Sequence, residues 1–252
     1  MNDSTSTISP GWPTVWPKDS FRSPWAWVLA FFVAGVFVLT FLAGIKASSS
    51  GVSLNGVSPA LVIISLILTS ALEGFLVIVV LFSLPALSKF SLAELGYRRP
   101  TKTTFLAGLA GAVAMTIVAN GGATLIDYLA HSKHQQDVIE LFRGLHDPTT
   151  IALFVFFACV FAPFAEETLF RVFFFNLGLR YGGFWTGAVL SGVLFGLAHG
   201  DMFAALPLAL GGMILCYVYF RSRNAFASMI SHSLFNLVSI LALLLAPNSI
   251  AK

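Results

Sequence analysis

Seven apolar runs divide this chain, at about Trp25–Ile45, Pro59–Leu87, Thr104–Leu129, Thr150–Leu177, Phe184–His199, Phe203–Phe220 and Ala225–Leu245. All but the fifth approach the roughly 20 residues that a helix needs to cross a bilayer. None alternates in polarity as the strands of a membrane barrel do. The pattern therefore predicts an all-α fold, a polytopic transmembrane helical bundle of about seven spans. Residues 1–22 are polar, rich in Ser, Thr and Pro, and read as a disordered tail. Residues 23–103 would form the N-terminal transmembrane helices and 104–247 a helical core. The first run exceeds the apolar core of about 7–15 residues typical of a signal peptide, so it reads as a retained span. Pro85 is a candidate break in the long second run. Between His131 and Pro148, the apolar Val138, Leu141, Phe142 and Leu145 recur at helical spacing among polar residues. That predicts a short amphipathic helix at the membrane interface, acting as a connector or a lid.

Composition agrees with this solvent. The chain is 57% hydrophobic and 10% charged, with a mean hydropathy of +0.87. A formal charge of +3 does not suggest nucleic-acid binding, because the basic residues are scattered at helix ends. Nine of them fall on one side of the predicted spans: Lys18, Arg22, Lys89, Arg98, Arg99, Lys102, Arg180, Arg221 and Arg223. Four fall on the other side: Lys46, Lys133, Arg143 and Lys252. The positive-inside rule then places the N-terminus in the cytoplasm and the C-terminus outside. Cys159 and Cys216 lie within apolar runs and read as small packing residues, not as a disulfide.

Three short patterns interrupt the apolar runs of the last third: Glu166-Glu167-x-x-x-Arg171, Phe195-x-x-x-His199 and His232-x-x-x-Asn236. An ionisable group within a span costs at least roughly 2.5–3.5 kcal/mol on insertion scales. Such groups face a bundle interior and serve chemistry or transport. Glu167 and Arg171 stand at i and i+4, where an ion pair forms easily. Glu166, about 100° further round the helix, points elsewhere. Two adjacent carboxyls in a dry site need not both be charged, and one can serve as a general base on water. Pro163 removes the hydrogen bond to the Cys159 carbonyl and so predicts a kinked or opened turn that admits water. Small residues from Gly192 to Gly200 allow close helix approach, and Phe195 can pack on the His199 ring. His232 and Asn236 share a face and could both donate to one oxygen, as an oxyanion site requires. Glu73 and Asp127 read as structural or interfacial acids, and His131 and His134 as solvated loop residues.

The residues alone leave the chemistry open. A glutamate and two histidines (Glu166, His199, His232) could hold a divalent metal such as zinc, with Glu167 as the outer base. No His-Glu-x-x-His helix supports that reading. The same groups could relay protons in a transporter, and no Gly-x-Ser-x-Gly context points to a serine nucleophile.

The ordered set of three motifs resembles the signature of the CPBP family of intramembrane proteases. That family includes the type II CAAX prenyl proteases and bacterial ABI and lysostaphin-resistance-like proteins. The resemblance covers about residues 150–245, and Leu92 to Pro100 also looks like a loop that precedes this core. It implies a helical bundle with a water-filled cavity opening toward membrane and cytosol, and an endopeptidase activity. The family has been described both as metalloproteases and as metal-independent glutamate proteases. The glutamate mechanism, which needs no cofactor, is favoured here because its roles fill every motif position and no third histidine is at hand. In that reading Glu166 would activate the water and His199 would help hold it. His232 and Asn236 would stabilise the oxyanion, while Glu167 and Arg171 would support the site. The substrate would be a membrane-associated peptide or protein, CAAX-like or bacterial, met in a prokaryotic plasma membrane. The contrasting readings are a non-enzymatic scaffold or bacteriocin immunity protein on the same fold, and a secondary transporter, against which the lack of an inverted repeat counts. Seven spans also imply a mismatch. Glu166 would lie roughly 24 Å from the outer start of its helix and His199 roughly 23 Å from the cytoplasmic face. A dip at Tyr181-Gly182-Gly183, starting the fifth helix deep in the bundle, would reconcile the two.

Overall fold

The computed structural model describes residues 17–49, 58–131 and 137–245. Most of the predicted N-terminal tail and His134 lie outside the described residues. Among those described, there are helices and connecting turns and no strands. The helices are α1 (Pro24–Ser49), α2 (Pro59–Ser88), α3 (Lys102–Leu129), the short α4 (Asp137–Arg143), α8 (Met202–Ser222) and α9 (Ala225–Leu245). Between α4 and α8 runs one helical element from Pro148 to Ala198. It comprises α5 (Pro148–Phe156), a π-helical stretch at Phe157–Phe161, α6 (Ala162–Glu167), a second π-helical stretch at Thr168–Phe175, and α7 (Asn176–Ala198).

Five elements are long and apolar enough to cross a membrane, and the apolar part of α1, Pro24–Thr40, is shorter. This is an all-α, polytopic integral membrane protein. The fourth and fifth apolar runs are two arms of a single 51-residue element, so the seven runs make five long crossing elements and one shorter one. The arms meet at Gly183, whose φ of 74° and ψ of −169° break the helix and turn the chain back on itself. A side chain there would strain the backbone, because positive φ combined with ψ near 180° suits essentially only glycine. Close contact follows the turn: a Cβ on Gly178 would meet the Gly187 Cα at 2.6 Å.

Near-equal spacings to Gly183 remove the depth mismatch. Glu166 lies seventeen residues before Gly183 and His199 sixteen residues after it. A helical hairpin folded at that point brings the two to the same level. The predicted dip is therefore a turn-back, and its first arm continues past the expected end at Leu177.

Glycines then let the helices close around that level. A Cβ on Gly192 would meet the Ala209 carbonyl of α8 at 2.6 Å, and one on Gly196 would collide with the Ala205 carbonyl. On the other side, Ser231 Oγ of α9 donates to the Gly108 carbonyl of α3 at 2.8 Å. Small residues at helix contacts are how bundles associate in lipid. The amphipathic segment forms α4, but it does not lie free at an interface. Phe142 and Leu145 are buried against Val62, Phe154 and Ile240. Pro85 does not divide α2; it stands in the last turn, where its carbonyl accepts from the Lys89 N–H that ends the helix.

Candidate functional site

Proline and a π-turn together shape the first part of the site. The Ala162 N–H bonds to the Phe157 carbonyl, five residues back. In that register the partner of the Ala158 carbonyl would be residue 163, which is proline and has no N–H. The missing bond thus falls on Ala158, not on Cys159 as α-helical spacing predicts. Asn236 Nδ2 of α9 fills it, donating to the Ala158 carbonyl at 2.7 Å. Extra-wide turns of this kind occur often at functional sites. Here they bracket the two glutamates, one before α6 and one after it.

Glu167 and Arg171 form a fully buried pair, Oε1 to Nη1 at 3.0 Å. The guanidinium also reaches the Gly212 carbonyl of α8 at 3.3 Å and lies over the Phe195 ring at 4.3 Å from its centroid. His232 Nδ1 meets the same Glu167 oxygen at 3.1 Å. A carboxylate accepts, so Nδ1 carries the proton, and Nε2 is left facing Glu166 Oε2 at 4.0 Å. Phe195 is the hub of this layer: its ring sits edge-on to His199 at 4.8 Å and to His232 at 5.4 Å. The phenylalanine of the second motif therefore joins all three motifs and does more than back its own histidine.

Glu166 has no such cation. Its Oε2 is buried without a hydrogen-bond partner among the described residues, and its carboxyl lines a cavity of about 460 Å³ together with His199 and Asn236. His199 Nδ1 contacts the Phe195 carbonyl at 2.8 Å. Because a carbonyl can only accept, Nδ1–H donates there and Nε2 keeps its lone pair for the cavity. The remaining walls are largely apolar, with Phe154, Leu208 and Phe235 from the bundle and Ile139 and Phe142 from α4. The short helix thus forms part of the wall. His232, only 2% exposed, is not among the cavity's lining residues, so it and Asn236 do not aim at one oxygen in this state.

The six polar motif residues, Glu166, Glu167, Arg171, His199, His232 and Asn236, therefore meet around Phe195 at one level of the bundle. Among the described residues, no three His, Cys, Asp or Glu side chains are grouped so as to hold an ion. His232 donates Nδ1–H to Glu167 and keeps Nε2 free on the Glu166 side.

Sequence reasoning missed the support beneath the site. Thr168, which follows Glu167, donates its hydroxyl to the Phe164 carbonyl at 2.7 Å. Tyr97 must then be the donor in its 2.6 Å contact with Thr168 Oγ1. Burial pushes the Tyr97 hydroxyl up to about 12, so it stays a donor at neutral pH. The loop that carries Tyr97 is itself fixed: Tyr219 donates to the Leu95 carbonyl and the Ala225 N–H to that of Gly96. Glu73 of α2, read from sequence as structural or interfacial, lies within electrostatic reach of Glu166. Neither link is local in sequence, which is why spacing could not reveal it.

Fold and site together define a helical membrane bundle in which an acid, an imidazole and an amide line a cavity above a buried ion pair. The profile of one family, described as Type II CAAX prenyl endopeptidase Rce1-like, matches residues 148–238. All three motifs fall within that stretch. Over 109 residues the chain is 30% identical to "Membrane-embedded CAAX protease MroQ" of Staphylococcus aureus, covering 40% of this chain and 44% of the relative. Over 132 residues it is 21% identical to "Putative membrane peptidase YdiL" of Bacillus subtilis, covering 52% of this chain and 48% of that one. The chain thus spans about half the length of the curated relatives it matches. No solved structure matches.

Proposed function

We propose that this protein is an intramembrane endopeptidase that hydrolyses peptide bonds of membrane-associated substrates with a glutamate-activated water. The observation that carries the reading is Glu166: a partly exposed carboxyl whose enclosed Oε2 has no hydrogen-bond partner among the described residues, facing a cavity beside His199 and Asn236. Glu166 takes a proton from water while that water's oxygen bonds to the scissile carbonyl carbon. The proton then passes to the leaving nitrogen as the C–N bond breaks. His199 Nε2 accepts a hydrogen bond from the attacking water. Asn236 keeps one amide hydrogen beyond its bond to Ala158 and offers it to the developing oxyanion. His232, held by Glu167, stands behind Glu166 to answer its change of charge, and Arg171 holds Glu167 in turn. The apolar walls suit a lipid-anchored or hydrophobic peptide. The family profile and the curated relatives support membrane proteolysis, and the excess of basic residues on one side supports a cytoplasmic N-terminus in a plasma membrane.

Cleavage of quenched fluorescent, membrane-anchored peptides by the purified protein tests this, run beside Glu166→Gln and with a chelator. Activity lost in Glu166→Gln and unchanged by chelator is the expected result. Loss in the chelator would replace it with a metal hydrolase. Full activity in a folded Glu166→Gln protein would remove Glu166 from the chemistry.

A further inference from the structure

Far from the motifs, a second cavity of about 410 Å³ opens between α1 and α2. Trp25, Val28 and Phe32 line it from α1, and Ser83, Ala86 and Leu87 from α2. Trp25, Val28, Phe32 and Ala86 are exposed on the bundle's outer face, so the cavity is a groove facing the bilayer.

One end of the groove is fastened and charged. The Phe21 N–H bonds to the Leu87 carbonyl at 2.6 Å, and Ser20 Oγ to the Ser88 carbonyl at 2.8 Å. These bonds place Arg22, three residues before Trp25, and Lys89, two residues after Leu87, at the same mouth. Both cations are exposed. Lys89 has Asp19 at 4.0 Å with both side chains more than half exposed, a pairing too weak to neutralise it. Nearly two turns deeper than Lys89, roughly 9 Å along the helix, Ser83 brings a hydroxyl to the groove. It makes no hydrogen bond among the described residues. Cations at the mouth, a hydroxyl just inside and an aromatic–aliphatic trough beyond match the order of a phospholipid: phosphate, glycerol ester and acyl chain. Trp25 at that boundary suits the headgroup region.

We propose that the α1–α2 groove binds one anionic phospholipid, with its phosphate between Arg22 and Lys89 and an acyl chain along Trp25, Val28 and Phe32. The lipid fills the space between two helices that meet little elsewhere, since α1 packs mainly on α7, as through its Trp27 ring on Tyr181 at 5.2 Å. Cation attraction makes the site select anionic over zwitterionic headgroups.

The test uses the full chain in phosphatidylcholine vesicles, with brominated phosphatidylglycerol or brominated phosphatidylcholine added in steps. The Trp25 signal is taken as wild type minus Trp25→Phe. Half-quenching at roughly thirtyfold lower mole fraction of the anionic bromolipid is expected, the effect of two interfacial cations. Arg22→Gln with Lys89→Gln should merge the two curves. Ala86→Phe, on an exposed position that folding tolerates, should weaken quenching by both lipids. Equal curves in the wild type, or a difference that persists in the double variant, would overturn the proposal. So would absence of quenching by either lipid, which would assign the groove to another occupant such as residues 1–16.

Discussion

Replacing Glu167 by glutamine should unfold this protein far more readily than the same change at Glu166. Glu167 is the one carboxylate paired with the fully buried Arg171, at 3.0 Å. Its removal leaves a buried guanidinium with the Gly212 carbonyl at 3.3 Å and the Phe195 ring at 4.3 Å but, among the described residues, no carboxylate. Breaking a buried pair from one side costs about 3–5 kcal/mol. Since glutamine keeps an oxygen for Arg171, the low end, about 3 kcal/mol, is expected. For a chain of this size that corresponds to a fall in melting temperature of roughly 6–12 °C. Glu166 has no cation to orphan, so Glu166→Gln should melt within about 2 °C of wild type. Thermal melts followed by circular dichroism in one detergent would measure both. Glu167→Gln combined with Arg171→Met should recover much of the loss, because replacing both members of a buried pair is often nearly neutral. Equal melting of the two single variants would refute the reasoning, since it rests on one glutamate being structural and the other held without a partner.

Other consequences can be measured in the same way. Asn236→Ala leaves the Ala158 carbonyl without a donor and should cost about 1–3 kcal/mol of stability, whereas Ser239→Ala, one turn on, should cost much less. Gly183→Ala forces a side chain into φ 74° and should cost about 1–3 kcal/mol; an unshifted melt would show that the hairpin turn is not as described. Asp147 caps α5 by accepting from the Thr150 N–H and hydroxyl, both at 2.7 Å, and these bonds hold its carboxyl below the usual 3.8. The stability gap between wild type and Asp147→Ala should therefore be fully present at neutral pH. It should close only as pH falls below 3.8 and the folded-state carboxyl is protonated; a gap that closes near pH 6 would contradict this.

Much of this was readable beforehand because membranes make polar residues conspicuous. Apolar runs marked the helices, and the three motifs named the residues that converge. What spacing could not show were effects that depend on backbone register and distant contact. The π-turn moved the unpaired carbonyl from Cys159 to Ala158, and so turned Asn236 into a repair of its neighbour's backbone. His232 looked like an oxyanion donor because it shares a face with Asn236, but Glu167 draws its Nδ1 away from the cavity. Tyr97 lies 71 residues before Thr168, too far for any helical rule to join them. The seventeen and sixteen residues about Gly183 could have been counted, had a hairpin rather than two crossing spans been considered.

That near-equality restricts how such a chain can change length. One residue inserted between Glu166 and Gly183 would swing the carboxylate about 100° and shift it about 1.5 Å relative to His199. An insertion in the second arm would displace the histidine instead. Only paired changes, one in each arm, or a full turn in both, keep acid and imidazole level. Length variation among related chains should therefore gather in the segments before Pro148 and spare the stretch from Glu166 to His199.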